Sequence, residues 1–346
     1  MTDELTALAT WLAPRLGVPE IELTNEGKPG SGFSAETTIL SSPAGRFVLR
    51  KETPDPPVYP TQVPGLEVEV DIQYRIMSAI AAAADVPLAP LLGYESDPAV
   101  LGAPFFVMGF VDGVVPIESP MYTLEGFFTE LEPGTRRTMV EDGVRTLAKV
   151  HAIDWRGAGL DWLVPDRVEP TTARQLSLWT AYAERELRGR DHPLLTRALE
   201  WLLANLPDEG VPTLCWGDPR MGNIIWSGHR AACVTDFEAA SIAPPEVDLG
   251  WWLMFDRWAH ETSGVTERAP GDLSRDEQRA LYEELVGRSV GDTSWYELFA
   301  AARYAAIVVR VMNRLVDRGE LPADQTIWIE NPVVPCLVSL LEEVTA

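Results

Sequence analysis

Two short apolar runs, Ile224-Ile-Trp226 and Ala232-Cys-Val-Thr235, joined by Ser227-Gly-His-Arg230, limit the folding of this chain more than any other feature. They read as a strand pair returning on itself through a turn. Such a return brings Asp236, after the second strand, back beside Asn223 at the mouth of the first. Just upstream, Leu214-Cys-Trp216-Gly-Asp218-Pro-Arg220-Met-Gly sends a third oxygen-bearing side chain through a tight Pro- and Gly-containing loop into the same cleft. A carboxylate and an amide oxygen converging there make a hard-oxygen site suited to Mg²⁺. Asp218 is then left to orient an attacking hydroxyl.

The rest of the chain sorts into a strand-rich first third and a mainly helical remainder. Leu5, Leu8, Leu12 and Leu16 recur at helical spacing. A glycine-rich stretch, Gly27 to Ser34, leads into Thr37-Thr-Ile-Leu40, and Ser41-Ser-Pro-Ala-Gly45 turns the chain into Arg46-Phe-Val-Leu-Arg50, an antiparallel hairpin. Five prolines between Thr53 and Pro64 leave no regular structure there. Ile72, Ile76 and Ile80 mark a helix stripe within residues 67–84, and Phe105-Phe-Val-Met108 suits a buried strand. Helical periodicity returns around Val144 to His151 and from Glu297 to Val316.

Charge narrows the partners. Among 346 residues, 28 Lys+Arg stand against 52 Asp+Glu, a net charge of −24. With 46% hydrophobic residues this is a folded chain whose acidity repels nucleic acid and anionic membranes and suits a cationic acceptor. Cys215, Cys233 and Cys336 are too few for a disulfide framework, and the four histidines lack metal-ligand spacing. The start, Met-Thr-Asp-Glu-Leu, is not that of a signal peptide, and no apolar run is long enough to span a bilayer, so a cytoplasmic location is expected.

Gly217-Asp218-x-x-x-x-Asn223 followed by Asp236-Phe-Glu238 resembles the aminoglycoside phosphotransferase family, which shares the protein-kinase-like fold. Leu147-Ala-Lys-Val-His151, Phe106-Val-Met108-Gly-Phe-Val-Asp-Gly113, Gly32-Phe-Ser34-x-Glu36-Thr37 and Glu246-Val-Asp248-Leu-Gly-Trp-Trp extend the likeness over nearly the whole chain. Within the family it looks most like an actinobacterial branch related to the kinase-like domain of acyl-CoA dehydrogenase 10.

The resemblance implies an α+β fold of two lobes: an antiparallel-sheet nucleotide lobe over 1–107, a hinge over 108–113 and a helical lobe over 114–346. It implies Asp218 as catalytic base, Asn223 and Asp236 as Mg²⁺ ligands, and Asp248 as a brace of the catalytic loop. Glu238 is open between metal-shell and structural work, and Arg220 between touching the transferred phosphoryl group and lying on the surface. On the nucleotide side, Ser34 and its neighbours would offer backbone N–H groups to phosphate. Met108 would back the adenine pocket, with backbone groups of Gly109 and Val111 on the adenine edge.

Three positions depart from the family pattern. Arg50 stands where a Lys is usual, with Lys51 beside it; strand alternation lets one of them face the cleft, and Arg50 is the choice. Gln73 stands where the following helix should present a Glu to that cation, and Glu69, one turn earlier, is a substitute. Trp216 replaces the usual His before Gly-Asp and is expected to brace by packing. His151 reads as a structural residue at a helix end. Trp179, Trp251, Trp252 and Trp258 are either core aromatics or a cleft for a hydroxylated amine.

The expected function is ATP-dependent (or GTP-dependent), Mg²⁺-assisted phosphorylation of a small-molecule hydroxyl. Net charge points to an amine-bearing acceptor such as an aminoglycoside, branch resemblance to a hydroxy-acid or hydroxyacyl metabolite. The alternative, prompted by Arg50 and Gln73, is a nucleotide-binding module with little turnover.

Overall fold

In the computed structural model, which describes residues 2–28, 35–208, 210–265 and 267–346, alternation along strands organises the first third of the chain. Helix α1 (Thr2–Leu12) precedes strands β1 (Thr24–Gly27), β2 (Glu36–Ser42) and β3 (Gly45–Lys51). Helix α2 (Glu69–Ala83), strand β4 (Leu91–Glu95), the short α3 (Pro98–Leu101) and strand β5 (Phe105–Gly109) follow. The strands form one antiparallel sheet in the order β1-β2-β3-β5-β4. Phe47, Leu49, Phe105 and Val107 pack with Leu8, Trp11 and Leu12 of α1, whereas Phe106 packs with Ile72, Ile76 and Ile80 of α2. The period of two sends Lys51 to the α1 side, where it meets Glu4 and Glu36 at 3.3 and 3.4 Å. Arg50 faces the other way.

Helix α2 begins without a side-chain cap of its own. Glu52, at the end of β3, accepts from the Val70 N–H at 3.0 Å instead, and Glu69 and Asp71 place negative charge in the first turn.

The remainder is helical around two short antiparallel strand pairs. Helices α4 (Phe127–Glu130), α5 (Pro133–His151), α6 (Thr172–Leu187) and α7 (Pro193–Ala204) lead to strands β6 (Thr213–Cys215), β7 (Ile224–Ser227), β8 (Arg230–Val234) and β9 (Ser241–Ala243). Helices α8 (Glu246–Arg257), α9 (Arg275–Val286), α10 (Ser294–Asp317) and α11 (Val334–Thr345) complete the lobe. The long α10 is its spine, packed against α6, α7, α8 and α11. Gly250 lets α8 lie on α10, since a Cβ there would come within 2.5 Å of Tyr296.

β7 and β8 pair across a turn with Gly228 and His229 at φ 54° and 64°, the left-handed pair that a two-residue hairpin requires. The second strand begins at Arg230, earlier than its apolar run, and Thr235 lies just past its end. The expected α+β two-lobed architecture is the one observed. The three cysteines are buried and free. Among the described residues no helix is long and apolar enough to cross a membrane.

The proline-rich segment between β3 and α2 has no regular structure, as its composition dictates, yet it is firmly tied to the other lobe. Arg310 donates to the Pro56 and Pro57 carbonyls at 2.6 and 3.1 Å. Arg314 reaches Thr53 Oγ1 at 2.9 Å and Asp55 at 3.2 Å, and Arg318 also pairs with Asp55. The Tyr182 hydroxyl donates to the Val58 carbonyl, and Arg174 and Gln175 donate to Gln62 at 3.2 and 2.9 Å.

Candidate active site

The loop after β6 is built from behind by Asp248. Its carboxylate accepts from the backbone N–H of Trp216 at 2.5 Å and of Gly217 at 3.1 Å, and meets His151 Nε2 at 3.2 Å. His151 Nδ1 meets the Tyr282 hydroxyl at 2.6 Å, so both ring nitrogens are engaged at the end of α5. His151, Cys215 and Asp248 lie close enough to suggest a metal cluster, but the commitments of His151 and Asp248 to this network make it a hydrogen-bonded brace. Trp216 is fully buried beside Phe237 and donates its indole N–H to the Thr235 carbonyl at 2.7 Å. At Gly217, with φ +96°, a side chain would run into the Ala239 carbonyl. Only glycine lets the loop lie this close.

Asp218 is thereby presented on a rigid turn and is itself buried. Its Oδ1 accepts from the Trp251 indole N–H at 2.7 Å, its Oδ2 from Asn223 Nδ2 at 2.7 Å, and Arg220 Nε approaches both oxygens at 3.1 and 3.2 Å. The Tyr59 hydroxyl lies 3.4 Å from Oδ2. Burial, and then the negative charge of Asp236, push the Asp218 carboxyl up to about 7, against the hydrogen bonds from Trp251 and Asn223. A carboxylate poised there is matched to proton transfer near neutrality.

Asn223 and Asp236 come together as the hairpin dictates. Thr235 donates both its N–H and its hydroxyl to the Asn223 carbonyl, each at 3.0 Å. Asn223 spends its amide nitrogen on Asp218, with a further bond to the Asp218 carbonyl at 3.0 Å, which leaves Oδ1 to meet a cation. Asp236 sits in left-handed backbone, φ 59°, and its side chain is 35% exposed against 3% for Glu238. One carboxylate open to the cleft beside one free amide oxygen is a hard-donor set of the kind Mg²⁺ takes while keeping its waters.

Arg50 enters this cleft from β3. It pairs with Asp236 at 3.1 Å and with Glu238 at 2.5 Å, and Gln73 of α2 donates to the same Glu238 oxygen at 2.7 Å. The carboxylate that Gln73 lacks is therefore supplied across the lobes by Glu238. Burial works against the Arg50 charge, but Asp236 and Glu238 outweigh it and hold the guanidinium above its ordinary value. Glu69 does not stand in for the missing partner: it turns to the Val58 N–H at 3.0 Å, because the proline-rich segment lies over its end of α2. Arg220 is no loose surface residue. It pairs with Glu118 as well as Asp218 and lies over the Phe255 ring, 5.4 Å from its centroid.

At the lobe junction Met108 pairs with Val48 and Leu91. The Gly109 N–H is donated to the Pro90 carbonyl at 2.8 Å. Ser34 lies outside the described residues.

Three contacts were not readable from the chain: Tyr59 and Trp251 on Asp218, and Arg303 behind it. Arg303 is buried between the Trp179 and Trp251 rings and donates to the Gly217 carbonyl at 2.9 Å. The four singled-out tryptophans are buried core residues; Trp251 reaches Asp218, and Trp252 donates to Gln278 at 2.6 Å. The Glu-Val-Asp-Leu-Gly-Trp-Trp run carried Trp251, but nothing marked Tyr59.

Comparison with known proteins follows the same lines. The model of the phosphotransferase enzyme family matches residues 28–285. Acyl-CoA dehydrogenase family member 11 of Gallus gallus is 28% identical over 259 residues, 74% of this chain but 31% of that protein. Family member 10 of Mus musculus is 28% identical over 222 residues, 64% of this chain and 19% of that protein. The chain thus spans a third or less of these two relatives. Among solved structures, a candidate aminoglycoside phosphotransferase from Ralstonia eutropha JMP134 superposes with a TM-score of 0.74 at 24% identity, covering 98% of this chain and 97% of that one. A thermostable variant of aminoglycoside phosphotransferase APH(4)-Ia, solved with ADP and hygromycin B, gives 0.58 at 12% identity, covering 99% and 100%. At these identities the likeness establishes the protein-kinase-like fold.

Proposed function

The chain belongs to the phosphotransferase enzyme family, and from that premise we propose that it transfers the γ-phosphoryl group of ATP to a hydroxyl of a small molecule. The observation that carries this is the convergence of Asp218, Asn223, Asp236 and Arg50 in one cleft between the lobes. Solved members of the fold hold ADP or, in another APH(4)-Ia variant, AMP-PNP, which supports a nucleotide on the small-lobe side.

Asn223 Oδ1 and Asp236 would hold Mg²⁺, which when bound neutralises phosphate charge. Arg50 would lie along the phosphates, and Glu238 gives it an anchor that does not depend on Asp236. Gly109 C=O and the Val111 peptide would meet the base edge, with Met108 behind it, and the boundaries 1–107, 108–113 and 114–346 follow from that placement. Asp218, fixed by Trp251 and Asn223, takes the proton as the acceptor oxygen attacks phosphorus. Arg220, pinned by Glu118, stands beside the base where the transferred group arrives.

The acceptor would enter on the Arg220 side, through a cavity lined by Glu118, Tyr122, Arg220, Trp252, Phe255 and Asp256. Five of these are carboxylates or aromatic rings that suit an amine-bearing acceptor, although Arg220 also suits an acidic one. Nucleotide binding without turnover is disfavoured, since its main ground was a missing carboxylate for Arg50 and Glu238 provides one.

The test is thermal stability with MgATP and MgGTP, for wild type and Asp236→Asn. A hundredfold excess over the dissociation constant adds about 2.7 kcal/mol. The shift is expected in wild type and lost in the variant. Acceptors are then screened for a phosphate mass gain that Asp218→Asn abolishes while binding persists. A fully active Asp218→Asn enzyme would sink the assignment of the base.

A further inference from the structure

Among the described groups on Asp218, Trp251, Asn223 and Arg220 are all N–H donors at 2.7 to 3.2 Å. Such donors fix a carboxylate in place. Tyr59, at 3.4 Å, brings a hydroxyl, the same group that an acceptor or a water would bring to a base. It is not there by accident of a slack loop. The segment carrying it is held at Thr53, Asp55, Pro56, Pro57, Val58 and Gln62 by side chains of α6 and α10. Ordering so many residues costs chain entropy at every one, and the ties fix where the ring sits. Tyr59 also lines a small cavity with Pro57, Pro60, Leu66, Glu69, Leu163 and Glu238.

Resting on the phosphotransferase reading above, we propose that Tyr59 is a positioning residue that guards Asp218 against water. Its hydroxyl takes the place on Oδ2 that a nucleophilic hydroxyl needs, and an organic acceptor bound in the cleft displaces it where a lone water does not. The reaction held off is hydrolysis of the nucleoside triphosphate. In that step a water oxygen bonds to the γ-phosphorus, its proton passes to Asp218, the bond from the γ-phosphorus to the β,γ-bridging oxygen breaks, and the diphosphate and inorganic phosphate leave. Tyr59 thus selects the acceptor class, an alcohol over water, without touching the nucleotide.

The experiment needs no knowledge of the acceptor. ADP release from MgATP is measured without any acceptor for the full chain, Tyr59→Phe, Tyr59→Ala, Asp55→Ala and Tyr59→Phe/Asp218→Asn, alongside the MgATP-induced rise in melting temperature. Tyr59→Phe keeps the ring and is expected to raise hydrolysis about fivefold, the equivalent of one lost net hydrogen bond. Tyr59→Ala should raise it further. Asp55→Ala, which removes the Asp55 ion pairs to Arg314 and Arg318 and loosens the segment with Tyr59 intact, should also raise it. Adding Asp218→Asn should return the rate below wild type. Hydrolysis at or below the wild-type rate in both Tyr59 variants, with MgATP still stabilising them, overturns the proposal, as does a rise that survives Asp218→Asn. If MgATP fails to stabilise wild type, the phosphotransferase reading falls first and takes this inference with it.

Discussion

Exchanging the two groups that meet at Glu238 Oε1 separates a designed electrostatic relay from a chance contact. Glu238→Gln leaves Arg50, 11% exposed, with Asp236 as its carboxylate partner. Losing one buried charge-assisted bond is expected to cost about 2 kcal/mol. Gln73→Glu restores the residue usual in the family, yet sets a second carboxylate where an amide now lies 2.7 Å from Glu238. Two carboxylates that close do not both ionise, and keeping one protonated at neutral pH costs about 3 kcal/mol. Additivity would put the double variant near 5 kcal/mol. The exchange instead rebuilds one amide and one carboxylate beside Arg50, so Gln73→Glu/Glu238→Gln should lose only about 1–2 kcal/mol, a coupling of about 3. Urea unfolding followed by tryptophan emission gives the four stabilities, and the MgATP-induced shift should fall in Glu238→Gln and recover partly in the double variant. A double variant within about 0.5 kcal/mol of the sum would refute the relay.

Three further outcomes follow from the site and its surroundings. Asp218, raised to about 7, is protonated below that pH and unable to take a proton, so kcat/KM should climb through about pH 7 and level off above it; a flat profile across that range would remove Asp218 as the base. His260 lies 2.6 Å from the Asp272 carboxylate and 3.4 Å from that of Asp256. Burial opposes its charge, but these partners raise its pKa above the ordinary 6.5. Its contribution is then full below the ordinary histidine range and is lost as pH rises through the raised value; unfolding curves on either side should show that loss in wild type and not in His260→Gln. Trp216→Phe keeps the packing but strands the Thr235 carbonyl, for a loss of about 1–2 kcal/mol, whereas Trp216→Ala opens a cavity and should lose about 3–5 kcal/mol in the same unfolding assay.

What was legible in the chain was what the chain arranges locally. Asp218, Asn223 and Asp236 are 5 and 13 residues apart along one loop and one hairpin, so strand pairing alone brings them together. Strand alternation left one of Arg50 and Lys51 to face the cleft, and it is Arg50, while the bracing place of Asp248 came from the family resemblance. Contacts that cross the molecule were not legible. Glu238 meets Gln73 across 165 residues, and no local pattern says that a helix amide in one lobe will face a carboxylate in the other. Tyr59 meets Asp218 across 159 residues from a segment whose prolines erase any periodicity. Glu69 was misplaced as a partner of Arg50 for the same reason: its register was right, but the segment laid over it took its oxygen first.

That segment also changes the mechanics of the cleft. Besides the chain crossing after β5, the large lobe holds residues 53–57 through Arg310, Arg314 and Arg318, the Pro87 carbonyl through the Val234 N–H at 2.8 Å, and Arg50 and Gln73 through Glu238. Two bodies tied at several separated places cannot part without breaking some of the ties, so the grip on residues 53–57 adds to the cost of opening this cleft.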